Sequence, residues 1–476
     1  MPPLQPTALF HQLKARLLED IRNGRYGPDG RLPTEHELCE LYGLSRTPVT
    51  RALSELAREG VVLRHRRRGT FVNPQWLAGS GETPRLRVLA TGTTGPDQLR
   101  RAAGDWAQLD LETVGFPELH GAFLRAVAEG RGPDLAVLDS VWVPEFARAG
   151  FLTPLNDLDP DWIKDEHDTD FLQPFRDAYR FDGALVAVQA PSDVTGLWYR
   201  RDSLARLGAE PPRTWRELHA LGRRLAEDCT GDAHALALPG GRAAAETTTY
   251  ALLALLAANG AGAVLRDDAV VLDSPAAVET MRFLRRLVDE GVVSPDVVGH
   301  AKDEAVRLLA QGRTDLCVGA SYQAGDLAEE SGLPLARVHE RFGFAPMPRG
   351  PHGRSSALCG GMAYLVPRQA AYPQQAMRLL RAAVEPDALV RTCLVTGQLP
   401  PRRSALDAVS AVSPFHAETA PLLAGAVLRP STPVYALVST RLQSLAEDVI
   451  TRRLGPAPAV ARAGDTISVI TGLPEH

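Results

Sequence analysis

The stretch PTEHELCELYGLSRTPVTRALSELAREGVVLRHRRRGTFV, Pro33 to Val72, decides the fold of the first part of this chain. Thr34 and Glu37 stand at the spacing of a capping box, which predicts the start of a helix, and Gly43 supplies the residue that ends it. Ser45 is placed to cap a second helix, with Val49, Ala52, Leu53 and Leu56 recurring on its inward face. Gly60 stops that helix. Val61-Val62-Leu63 and Thr70-Phe71-Val72 then read as the arms of a hairpin, with Arg64, His65, Arg66, Arg67, Arg68 and Gly69 at its tip. Two short helices about a glycine turn, followed by a basic hairpin, meet the requirements of a winged helix-turn-helix. In that motif the second helix enters the major groove and the wing meets phosphates or the minor groove.

Upstream, Leu9, Leu13, Leu17 and Ile21 recur every fourth residue before Gly24, which predicts a supporting third helix. Ser45, Arg46 and Thr47 open the recognition helix and Thr50 follows one turn on. Arg46 suits bidentate contact with guanine, with Thr47 and Thr50 as shorter partners. Ser45 serves equally as a plain N-cap. Arg66, Arg67 and Arg68 are candidates for phosphate or minor-groove contact, with Gly69 allowing the tight wing turn, and a solvated loop is the alternative.

The order LPTEHEL, GLSRTPVTRAL, EGVV, GTFV resembles the GntR family of bacterial transcription regulators over about residues 7–73. The resemblance implies a double-stranded DNA operator as partner. It also marks a departure: His36 stands on the first motif helix where many relatives carry arginine, so operator sequence does not carry over.

With 476 residues the chain exceeds a single core and suggests about three domains. Its 45% apolar and 23% charged content is that of a globular protein. Charge is uneven: residues 1–76 hold 12 Lys+Arg and 8 Asp+Glu, a net +4, and the remainder holds 40 and 49, a net −9. A basic head on an acidic body fits nucleic-acid binding at the head alone. The five cysteines, Cys39, Cys229, Cys317, Cys359 and Cys393, lack CxxC spacing, which argues against a disulfide framework or a structural zinc. No metal and no cofactor are expected. The amphipathic Thr7 to Ile21 stretch does not read as a signal peptide, and no apolar run of about 18 residues is present to span a membrane. The expected compartment is the cytoplasm, with no membrane partner.

Beyond Gly79-Ser80-Gly81 and Pro84, read as a linker, strand and helix patterns alternate. Arg87 to Thr91 and Asp134 to Leu138 read as strands; Glu118 to Glu129 and Val143 to Ala149 read as helices. Thr214 with Glu217 caps a further helix, and Ser274-Pro275 opens a long one ending at Gly291. This alternation predicts α/β layers on largely parallel sheets, whose ligands sit beyond the carboxyl ends of the strands.

Six segments of this body resemble, in order, the family of extracellular solute-binding proteins that serve sugar importers. They are GRGPDLAVLDSVWVPEFARAGFLTPLNDL, GALVAVQAPSDVTGLWYRRDSLARLG, PRTWREL, FGFAPMPRG, CGGMAYLVP and GQLPPRRSAL. The expected fold is therefore multidomain: an α+β winged helix-turn-helix over residues 1–75, a linker over 76–84, and a two-lobe α/β periplasmic-binding-protein-like (type II) fold over 85–476. The resemblance implies a ligand cleft between the lobes, a first crossing near residues 192–196 and a second near 342–348.

Sugars need planar hydrogen-bond partners and aromatic faces, which nominates cleft residues. Asp139 and Ser140 end a buried strand, and Asp193 lies at the crossing. Trp142, Trp198 and Tyr322 are the aromatic candidates; Tyr322 follows GAS at a strand end where relatives commonly place an aromatic. Gly360 and Gly361 permit close backbone approach, and Arg402 can reach a hydroxyl or carboxylate. Structural roles compete at several positions. Trp198 sits in a strand and fits a core, Trp142 fits an anchor for its helix, Asp139 fits a helix cap, and the glycine pair fits strand packing. Phe116 and Pro117 depart from the polar pattern expected of one cleft wall.

Chemistry is not expected. A pyridoxal phosphate enzyme needs a Schiff-base lysine, yet the only lysines are Lys14 in the head and Lys164 and Lys302 in charged contexts without neighbouring hydroxyl residues. A glycosidase needs flanking carboxylates, and Asp139 with Asp193 is supported by no motif. A transport receptor conflicts with the DNA-binding head. The resulting expectation is a homodimeric regulator that senses a small-molecule effector, a mono- or oligosaccharide. A body that has lost its ligand and only dimerises is the alternative.

Overall fold

The computed structural model describes residues 9–22, 24–26, 30–65, 69–73, 84–92, 94–229, 233–266, 268–354 and 356–475. In the head, helices Leu9–Arg22, Glu35–Tyr42 and Arg46–Arg58 enclose a small core of Leu13, Leu17, Ile21, Leu38, Val49, Leu53 and Leu56. Phe10, rather than Leu9, is the buried residue at the start of the first helix, and the Arg51 guanidinium lies 3.8 Å over its ring. Both halves of the Thr34–Glu37 capping box form, and Gly43 closes the second helix in the left-handed region. Ser45 has the extended backbone of an N-cap, but its hydroxyl makes no capping hydrogen bond. The hairpin pairs Val62–His65 with Gly69–Val72, so Arg64 and His65 belong to a strand and not to the tip. Gly30 and Leu32 add backbone bonds to its outer edge.

Arg66, Arg67, Arg68 and most of the expected linker lie outside the described residues. The body resumes with strand Arg85–Thr91, and its main sheet runs through both lobes. In the first lobe Gln108–Val114, Arg85–Thr91 and Leu135–Asp139 are parallel, and Leu358–Leu365 joins antiparallel to the last of them. In the second lobe Leu316–Ala320 pairs parallel with Leu236–Ala237 and antiparallel with the crossing strand. The sheet is thus mixed rather than largely parallel, because the strands that cross between lobes run against the βα units.

The 13-residue strand Val188–Arg200 is the structural axis. Its first half pairs with Leu358–Leu365; from Thr195 onward its partners are Leu316–Ala320 and Phe342–Ala345. The first change of lobe therefore falls between Val194 and Thr195. The return crossing is corrected relative to expectation: Phe342–Ala345 stays in the second lobe, paired with Leu197–Arg200, and the chain comes back at Leu358–Gly361. The intervening turn is held to the second lobe through Arg349 N to Arg213 O and Gly350 N to Ala258 O.

Candidate ligand cleft and nucleic-acid interface

Between the lobes lies a cavity of about 440 Å³, within the range of about 300–1,000 Å³ typical of small-molecule sites. Its first-lobe wall is built from strand ends and helix starts: Thr91 and Gly92, Phe116 and Pro117, Asp139, and Gly361 with Met362. Its second-lobe wall holds Glu246 and Tyr250 on helix Glu246–Ala258, together with Lys302 and Tyr322. Asp193 on the crossing strand and Arg429 lie at the floor.

Arg429 ties the two walls together. Its Nη2 donates to Asp139 Oδ1 (2.6 Å) and its Nη1 to Glu246 Oε1 (2.8 Å), one carboxylate from each lobe. Nη2 also reaches Ser140 Oγ at 3.3 Å, whereas the buried Nε has no hydrogen-bond partner. Burial works against the guanidinium charge, but Asp139, Tyr435 and Glu246 overcome it and raise its pKa well above the ordinary arginine value. Glu246 also accepts from Tyr435 Oη (2.5 Å) and Ser439 Oγ (2.7 Å). Burial raises its pKa although these donors and Arg429 oppose the shift. Asp193 accepts from Tyr250 Oη at 2.6 Å, and burial pushes its carboxyl up as well. A ligand hydroxyl at the floor would meet both acceptor oxygens and guanidinium donors.

The aromatic surface is supplied by Phe116, Tyr250 and Tyr322. Lys302 Nζ stands 5.7 Å from the ring centroids of both Phe116 and Tyr322, a first-lobe and a second-lobe residue. Such placement over two ring faces is favourable for a cation and forms a second link across the cleft.

Among the nominated residues, Asp139, Asp193, Tyr322 and Gly361 line this cavity. Asp139 also caps the turn that follows it, accepting from Val141 N at 3.3 Å. Ser140 is buried behind it. Trp142 stacks on Phe116 at 5.6 Å between centroids and so stands one layer behind the wall. Gly360 allows Arg429 to pass: a Cβ there would lie 3.1 Å from Nη2. Trp198 belongs to the core, with Nε1 donating to Ala320 O (3.0 Å) and its ring stacked on Phe415. Arg402 is likewise corrected: it is buried in the first lobe, where its Nε donates to Asp170 Oδ2 (2.7 Å) and its Nη1 to Val384 O (3.2 Å). Arg429, Glu246, Tyr250 and Lys302 were not foreseen. Arg429 lies 290 positions from Asp139 in the chain, and AVLRPSTP carries no recognisable spacing.

In the head, Ser45, Arg46 and Thr47 are exposed at the start of the recognition helix. Glu35, on the preceding helix, organises that face. Its Oε2 accepts from Arg46 Nε (3.3 Å) and Thr50 Oγ1 (3.1 Å), and its Oε1 from Arg64 Nη2 on the wing strand (2.6 Å). Partial burial opposes ionisation of Glu35, but these hydrogen bonds outweigh it and hold its carboxyl below the usual range. His36 is exposed, with Nε2 at 3.5 Å from Glu40 Oε1. Gly69 has φ +111°, a conformation that favours glycine where the second wing strand leaves the tip.

Residues 100–389 match the model of the bacterial extracellular solute-binding protein family, and residues 9–72 match that of the bacterial regulatory proteins, gntR family. A putative binding protein of Brucella abortus (strain 2308) is 23% identical over 286 residues, 58% of this chain and 66% of that protein. The chain thus spans slightly under two thirds of the length of that relative. An uncharacterized HTH-type transcriptional regulator of Bacillus subtilis (strain 168), YurK, is 46% identical over 98 residues, 18% of this chain and 40% of that protein. Maltose-bound T. maritima MalE3 superposes with a TM-score of 0.71 at 24% identity, covering 81% of this chain and 99% of that one. This last likeness establishes the fold: two lobes about a cleft.

Proposed function

Because the chain belongs to the bacterial extracellular solute-binding protein family and carries a GntR-type regulatory head, we propose that it is a ligand-sensing transcription regulator acting in the cytoplasm. The observation that carries this is the joining, on one chain, of an exposed recognition helix to a cleft whose lobes are tied by Arg429. The effector is a small polyhydroxylated molecule, a mono- or oligosaccharide. Phe116 and Tyr322 offer ring faces for its C–H surface, and Asp193, Glu246 and Arg429 offer planar polar partners. The effector stabilises the closed lobes in proportion to its preference for closed over open, and closure alters the placement of two heads in a homodimer. Half-sites lie about 34–36 Å apart, so a shift of a few ångströms suffices to change operator affinity.

The family assignments contain no enzyme, and the charged groups of the floor are already paired, Arg429 with Asp139 and Glu246 and Asp193 with Tyr250. The test is thermal unfolding of the full chain against a panel of mono-, di- and oligosaccharides. A sugar present at 100 times its Kd stabilises the body by about 2.7 kcal/mol, a visible shift in the body's transition. The same sugar then has to change binding to operator DNA. Absence of any shift across the panel would favour a ligand other than a sugar, or a body that only dimerises.

A further inference from the structure

The second lobe holds another polar cavity, of about 290 Å³, on the outer side of the helices that support the cleft. Four arginines, Arg242, Arg441, Arg453 and Arg462, line it together with two carboxylates, Glu447 and Asp448. Glu447 is already engaged, accepting from Arg242 Nε at 3.2 Å and from Arg453 Nη2. Asp448 is shared: its Oδ1 lies 3.5 Å from Arg453 Nη1, and its Oδ2 lies 3.6 Å from Arg441 Nη2, too long for a hydrogen bond. Arg441 Nε and Nη2 are both buried without a hydrogen-bond partner. Burial, with the neighbouring Arg462 and against Asp448, lowers the pKa of Arg441 from its ordinary value. Guanidinium donors left unused in a buried setting are unfavourable, and a cavity lined by four guanidinium groups and two carboxylates carries an excess of positive charge that calls for an anion.

We propose that this cavity binds a tetrahedral dianion, a phosphate group, either as inorganic phosphate or as the phosphoryl end of a metabolite. The charge count favours a dianion: four guanidinium groups against two carboxylates leave an excess of two. Arginine's planar fork is the side chain best matched to phosphate oxygens. The site goes beyond the sensing role assigned to the cleft, yet it shares two elements with it. Helix Tyr435–Ile450 holds Glu246 through Tyr435 and Ser439, and carries Arg441, Glu447 and Asp448 farther along. Arg242 begins the turn whose Ala243 to Glu246 line the cleft, and Ala245 within it has φ +48°, a conformation strained for a side-chain-bearing residue. An anion drawing Arg242 outward acts on that turn directly.

The test is calorimetric titration of the full chain, in buffer free of phosphate and sulfate, with inorganic phosphate and separately with glucose 6-phosphate. The same titrations are made on Arg441→Met and on Arg462→Gln, the latter changing an exposed side chain with no role in the core. Saturable binding in the wild type, weakened at least about tenfold in both variants, is the expected result. Tighter binding of the sugar phosphate would identify a metabolite as the occupant, and the reverse order would identify free phosphate. No saturable binding of either probe overturns the proposal. Equal binding by Arg462→Gln does so too, since the phosphate would then sit elsewhere, the basic head included.

Discussion

At the scale of single residues, Arg429 carries a heavy electrostatic burden. It is buried between Asp139 and Glu246, and removing one member of such a group leaves uncompensated charge. Arg429→Met preserves much of the volume while removing the cation. It is expected to cost about 3–5 kcal/mol, read as a lower urea midpoint for the body. Adding Glu246→Gln should restore part of that loss; full stability in the single variant would show that Asp139 and Glu246 do not need the cation. Asp326 offers a pH signature instead. Burial, reinforced by Asp303 and opposed by Lys302, raises its pKa from 3.8 to about 6. A carboxyl raised in the folded state contributes stability that is fully present below the unfolded pKa and is lost as pH rises through the folded one. Wild-type protein should therefore lose about 1–3 kcal/mol relative to Asp326→Asn between pH 4 and pH 7, measured by unfolding at several pH values. Parallel curves for the two proteins would remove Asp326 from the balance.

Elements explain why some of this was legible in the sequence and some was not. The capping box at Thr34 and Glu37, the left-handed Gly43, and Ser274 before helix Pro275–Asp289 are local devices whose partners lie within a few residues, and each forms as its spacing implies. Asp139 is legible because it ends a buried strand facing the crevice, and Asp193 because the family resemblance puts the first crossing there. Arg429 was invisible because nothing local marks it: its partners come from Leu135–Asp139 and Glu246–Ala258, brought together only by the tertiary fold. Arg402 shows the complementary limit: its chemistry suits a hydroxyl or carboxylate, and the carboxylate that the fold supplies is Asp170 of the same lobe rather than a ligand. The return crossing shows the limit for backbone. Gly361 has φ +119°, and a Cβ there would stand 2.8 Å from Pro191 O. Gly361→Ala is thus expected to strain the crossing by about 1–3 kcal/mol, seen as a lower melting temperature of the body with the head's transition unchanged. The recognition helix makes a separate prediction. Arg46→Ala should cost about 1–3 kcal/mol at a guanine it reads, measured by anisotropy on operator DNA, while effector affinity at the cleft stays as in the wild type. Loss of both together would contradict two separable functions.

For the molecule as a whole, the question is which parts move together. The head approaches the first lobe: a Cβ placed on Gly24 would lie 3.0 Å from Gln374 Cβ, on helix Pro373–Ala383. Gly24 has φ +66°, so this near approach occurs at a turn that glycine makes possible. If head and first lobe move as one body, lobe closure displaces the second lobe against both, and Arg429 with Lys302 sits on the dividing line. In a homodimer, closure would then change the separation of the heads only if the second lobes form the dimer interface or if the Gly24 contact transmits the motion. Gln374→Trp separates these routes, since a bulky ring at that contact pushes the head off the first lobe without entering the cleft. Allosteric couplings are typically about 1–3 kcal/mol, a change of about 5- to 150-fold in operator affinity on adding effector. Gln374→Trp should keep the wild-type effector affinity and basal operator affinity while that effector-dependent change shrinks towards unity. A variant that responds as the wild type does would place the transmission in the second lobe, and cross-linking of the second lobes in solution would then be the decisive measurement.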